Sequence, residues 1–146
     1  MDNVFNNECL WIPIIVWFII QSYKVVSELI INKKLDIRRF VGAGGMPSSH
    51  SALVTSLATA IGFREGFESA IFALSVLFAC VVMYDSAGVR RAAGKQAKVL
   101  NQIIESNKKN INIQEKLIEL LGHTPLQVFI GAIVGVILAC VLRLLW

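Results

Sequence analysis

Four apolar stretches, at about residues 9–31, 51–63, 67–84 and 126–145, take up about half of a 146-residue chain. A bilayer core about 30 Å thick is crossed by about 20 helical residues. The first, third and fourth stretches meet or approach that length. The second, SALVTSLATAIGF, is short and built of small residues. It can lie at membrane depth if its helix starts ahead of His50 or if neighbouring helices shield it. Charged residues make up 16% of the chain, against about 25% in soluble domains. Hydrophobic residues make up 55%, which excludes a disordered chain. Cys9, Cys80 and Cys140 are odd in number, far apart and set in apolar runs. That excludes a disulfide scaffold and makes them packing residues. No CxxC or CxxH spacing offers a structural zinc site. The expected fold is therefore all-α: a polytopic membrane helix bundle of about four transmembrane helices plus a cytoplasmic amphipathic helix, forming a single domain over residues 1–146.

The charges predict an orientation. Lys33, Lys34, Arg38 and Arg39 follow the first stretch, and Arg90, Arg91, Lys95, Lys98, Lys108, Lys109 and Lys116 lie between the third and fourth. Arg64 and Arg143 fall on the other side, and Lys24 sits within the first stretch. The positive-inside rule then places both termini outside and the two basic connections in the cytoplasm, with the protein in the cell membrane. The first stretch lacks a basic leader and is too long for a signal-peptide core. Within the second basic connection, AAGKQAKVLNQIIES and INIQEKLIELLG both read as helix formers. The latter puts Ile111, Ile113, Leu117, Ile118, Leu120 and Leu121 mostly on one face.

Three short motifs reach the same basic side. In GAGGMPSSH, ending at His50, glycines free the backbone, and Ser48 and Ser49 open a helix whose N-terminus can receive an anion. Without ligand chemistry the same run is a glycine-rich turn with a serine cap. In DSAGVRR, Arg90 and Arg91 present guanidinium forks suited to phosphate oxygens, and Asp85 can hold one arginine or a cation. Anchoring of a helix end at lipid headgroups is the plainer account of the arginines. In GHTPLQ, His123 and Gln127 are four apart and share a helical face, so Gln127 can orient the imidazole with its second nitrogen outward. A capping histidine is the plainer account there. Both histidines of the chain start helices on this side. Lys24, at membrane depth, is either functional or a lysine that snorkels or pairs with Glu28. The spacing matches neither GxGxxG nor a P-loop. Gly131 and Gly135 permit close helix approach.

GGMPSSHSALV, VVMYDSAGVRRAAGKQAKVLN and LGHTPLQVFIGAIVG, in that order, resemble the divergent bacterial and plant branch of the type 2 phosphatidic acid phosphatase superfamily, a branch related to acid phosphatases and vanadium-dependent haloperoxidases. The resemblance spans about residues 21–135. It implies phosphate-ester hydrolysis without a metal or other cofactor, through a phosphohistidine. On that resemblance His123 is the nucleophile, Gln127 stands where the superfamily has an orienting aspartate, and His50 is the general acid. Ser48, Ser49, Lys24 and Arg90 or Arg91 would hold phosphate oxygens.

The function expected is an integral membrane phosphatase acting on phosphatidylglycerophosphate, phosphatidate or a prenyl phosphate or pyrophosphate at the cytoplasmic face. The alternative is a non-catalytic membrane protein that binds or translocates anionic lipids. Neutral Gln127, and about four helices where the superfamily has about six, favour that second reading. A haloperoxidase is disfavoured because a lipid-embedded site suits headgroups better than halide. The expected partners are a lipid phosphate, the membrane and a second copy of the chain in a homo-oligomer. No nucleic acid is expected.

Overall fold

Four of the five described α-helices begin where a small polar side chain accepts a free backbone N–H. Asn7 caps α1 (Glu8–Asn32), Ser48 caps α2 (Ser49–Glu65) and Ser69 caps α3 (Ala70–Ala87). Gly88 separates α3 from α4 (Val89–Ser106). Thr124 caps α5 (Pro125–Leu145) in a reciprocal capping box with Gln127, and Pro125 occupies the first helical position. Gly66 ends α2 at φ 90°, a conformation that favours glycine. A computed structural model describes residues 4–33, 45–106, 117, 119 and 122–146. Among these residues there is no β-strand.

Helix α2 is the centre of the bundle, packed against α1, α3 and α5. Its inward positions are Ser, Ala, Val and Gly. Between helices in lipid there is little hydrophobic drive, so small side chains that let backbones approach carry the packing. On α5 the answering residues are Gly131 and Gly135. A Cβ on Gly131 would meet the Ser48 backbone, and one on Gly135 would meet Ala52 and Thr55. The two glycines thus serve packing within the chain. Thr55 Oγ1 donates to the Ala132 carbonyl at 3.1 Å, tying α2 to α5. Ser56 and Thr59 bond carbonyls of their own helix at 2.9 and 2.8 Å, which satisfies hydroxyls away from water. Outside this packing, Leu74, Leu77, Phe78 and Val81 of α3 remain exposed, as lipid-facing residues must.

Three helical runs, Glu8–Ile31, Ala70–Ser106 and Pro125–Leu145, are long and apolar enough to cross a membrane. At 17 residues, α2 is about 25 Å long and is not one of them. It meets both conditions set for the second apolar stretch: it starts at Ser49, ahead of His50, and its neighbours shield it. The bundle is an all-α membrane fold in which α2 and α5 run parallel to one another and opposite to α1. At one end Arg143 pairs with Glu8, and Arg64 reaches Asn7 Oδ1 at 3.3 Å. At the other end lie the start of α2, the end of α3 and the start of α5. The amphipathic helix seen is α4, which buries Gly94, Ala97 and Asn101 on one stripe. The second helix expected, in INIQEKLIELLG, lies outside the described residues except for Leu117, Glu119 and Gly122.

Candidate functional site

Three hydrogen bonds draw distant motifs to one end of the bundle. Ser48 N–H donates to the Gln127 carbonyl at 3.2 Å, and His123 N–H donates to the Ser86 carbonyl at 3.0 Å. Lys24 Nζ donates to Ser49 Oγ at 3.3 Å. These bonds join α1, α2, α3 and α5 across as many as 79 positions of sequence. Gly122, at φ 81°, has no room for a Cβ because the Arg90–Arg91 backbone lies against it. That contact brings the start of α4 to the start of α5.

The geometry at His123 fixes its chemistry. Gln127 Oε1 accepts the Thr124 N–H at 2.9 Å as half of the capping box. The atom facing His123 Nδ1 at 3.3 Å is therefore an acceptor. Nδ1 must carry the proton, which leaves a lone pair on Nε2 of the neutral ring. Nε2 is buried and has no hydrogen-bond partner among the described residues. The residue is only 3% exposed. Burial, then the Lys24 cation, hold the imidazole below its ordinary pKa against the opposing effect of the Gln127 bond, with His50 and Arg90 adding smaller pushes downward. His123 is thus a neutral base with a free, desolvated nitrogen. The His50 ring lies beside it, with centroids 6.4 Å apart and planes at 57°.

Lys24 is 6% exposed. It neither snorkels to the end of α1 nor pairs with a carboxylate among the described residues; Ser49 Oγ is its hydrogen-bond partner. A buried cation held only by a neutral hydroxyl is costly, and such a charge is suited to an anion. Asp85 and Arg90 form an ion pair at 2.6 Å between half-exposed side chains. Ser48 is fully buried, and its hydroxyl accepts from Ser51 N and Ser51 Oγ, so it works as the cap of α2.

A cavity of about 1120 Å³ opens at this end. Lys24, Arg91, His123 and Gln127 line it; Ser48, Ser49, His50, Asp85 and Arg90 do not. Sequence reasoning missed two more lining cations, Lys95 and Lys98, and the acidic Glu28 and Glu119. The 91, 95, 98 spacing, which places all three cations on one face of a helix, was the available signal. It also missed Ser86, whose carbonyl holds the backbone at His123. One wall of the cavity is apolar, with Ile19 and Ile20 from α1 facing Ile130, Val134 and Leu138 from α5. Gly42, Ala43 and Gly44 lie outside the described residues.

The Divergent PAP2 family matches residues 5–138. An uncharacterized membrane protein, YuiD, of Bacillus subtilis (strain 168) is 42% identical over 134 residues, covering 84% of this chain and 85% of that protein. No solved structure matches.

Proposed function

The chain belongs to the Divergent PAP2 family, and from that premise we propose that it hydrolyses a lipid phosphate. The carrying observation is His123: Nδ1 held on Gln127, and Nε2 buried without a partner among the described residues on a cavity that Lys24 and Arg91 also line. The substrate is a phosphomonoester or pyrophosphate on a lipid, because the cavity that holds the cations is also walled by Ile19, Ile130 and Leu138. A phosphate alone needs no apolar wall. The eleven basic residues on this side favour the cytoplasmic face.

The reaction runs in two balanced steps. His123 Nε2 gives its lone pair to phosphorus, the bond from phosphorus to the lipid oxygen breaks, and His50 gives that oxygen its proton. Water then attacks the phosphohistidine, His50 takes the proton, and the P–N bond breaks to release phosphate and restore His123. Lys24 and Arg91 stabilise the charge spread over the transferred oxygens. Bound phosphate also favours the imidazolium form of His50 by opposite charge.

The test is phosphate release by the purified protein from a panel of lipid phosphates. His123→Ala should abolish release while leaving insertion and Tm unchanged, and a phosphohistidine should be trapped at His123 in the parent. Equal release by variant and parent would overturn the mechanism. Neutral Gln127 gives the second reading its footing, since an amide cannot stabilise an imidazolium as a carboxylate does. Lipid binding without release across the panel would establish a binder.

A further inference from the structure

The cavity spreads its positive charge over a longer span than one phosphate covers. Lys24 and Arg91 already flank His123, yet Lys95 and Lys98 line the same space. Arg91, Lys95 and Lys98 follow one another on a single face of α4. Measured along the helix axis, Lys95 stands about 6 Å and Lys98 about 10 Å beyond Arg91. That row flanks the buried stripe of Gly94, Ala97 and Asn101, so its direction is set by the packing of α4. Two carboxylates, Glu28 and Glu119, share the cavity. A single phosphomonoester carries about two negative charges and is shorter than the about 10 Å from Arg91 to Lys98 along α4.

We infer that Lys95 and Lys98 form a second anion subsite, and that the substrate headgroup carries a phosphodiester one short polyol away from the phosphomonoester at His123. The inference rests on the reading of this cavity as a lipid-phosphate site and specifies which lipid it takes. A diphosphate is the poorer fit, because its two phosphorus atoms share one oxygen and span less than the about 10 Å from Arg91 to Lys98 along α4. Phosphatidate lacks the second group altogether. The hydroxyls of a linking polyol suit Glu28 and Glu119, which accept hydrogen bonds but would repel a third phosphate.

The test uses the full chain in phosphatidylcholine nanodiscs, with equilibrium binding measured for phosphatidylglycerophosphate, phosphatidate and a prenyl diphosphate. The double variant Lys95→Gln/Lys98→Gln should weaken phosphatidylglycerophosphate about tenfold or more, the loss of a charge-assisted contact. Phosphatidate should change less than about twofold in the same variant. Equal weakening of all three lipids would show general attraction of anions and overturn the subsite. Weakening confined to the prenyl diphosphate, or no weakening, would overturn it as well. Phosphate release measured on the same samples separates the two conclusions: selective binding without release would leave the subsite standing and remove the phosphatase.

Discussion

His123 and Gln127 stand in one fixed relation, Nδ1 to Oε1 at 3.3 Å, because the amide oxygen is already held by the Thr124 N–H. One side chain caps α5 and sets the tautomer of the imidazole. The proposed nucleophile is thereby oriented by the start of the helix that follows it.

Gln127→Leu should therefore lower phosphate release about a hundredfold through misorientation of His123, and destabilise the protein by about 1 kcal/mol through the damaged cap. Gln127→Glu keeps the acceptor and adds a charge. It should restore most of the rate while moving the acidic limb of the pH profile to higher pH. Rate profiles and Tm of both variants check this, and an unmoved limb in Gln127→Glu would contradict it.

The pH profile of the parent follows from the direction of the His123 shift. Burial and Lys24 hold its pKa below the ordinary value, which is about 6.5. The neutral, nucleophilic form then persists down through that pH, so the acidic limb of kcat/KM, which His123 sets, should lie below about pH 6.5, with a separate fall toward high pH as His50 loses the proton it donates. An acidic limb centred above pH 7 would contradict the assignment.

Replacing Lys24 by methionine removes a buried cation that has no carboxylate partner among the described residues. Tm should hold or rise, since an apolar isostere avoids the cost of desolvating a charge. KM for the lipid phosphate should rise about ten- to a hundredfold, the worth of one hydrogen bond to a charged group. A fall in Tm with unchanged KM would make Lys24 a structural residue.

Gly131→Ala pushes a methyl group into the Ser48 backbone. Overpacking of this kind costs about 1–3 kcal/mol, and it strains the Ser48 N–H to Gln127 carbonyl bond. Both Tm and phosphate release should fall, whereas Ala132→Val, one residue along, should affect the rate less. Thermal unfolding in detergent beside the release assay measures the contrast.

Asp85→Asn breaks an ion pair between half-exposed side chains, and such pairs are worth about 0–1 kcal/mol. Its effect on Tm should be within about 4 °C, near the limit of what such a pair can shift. A larger loss would mean that Asp85 has a role beyond holding Arg90.

The sequence by itself determined the membrane class, the helices and the basic end, because length, hydropathy and charge act locally and need no knowledge of neighbours. The pairing of His123 with Gln127 was expected from a shared helix face, but His123 precedes the Thr124 cap of α5, and it is the capping box that brings Gln127 Oε1 to the imidazole. The serine cap of α2 was legible as well, whereas α5 is capped by Thr124 and not by the neighbouring histidine. The tertiary structure alone decided how these parts meet. That α2 can sit inside the bundle depends on Gly131 and Gly135 facing its small residues, a match between helices about 80 residues apart that no local pattern encodes. The burial of Lys24 against Ser49 and the nearness of the two imidazoles have the same origin. So does the division of the motif residues between those that line the cavity and those, like Ser48, that hold its wall in place. Spacing along a chain sets which side chains share a helix face; only close packing of the helices sets which faces enclose a common space.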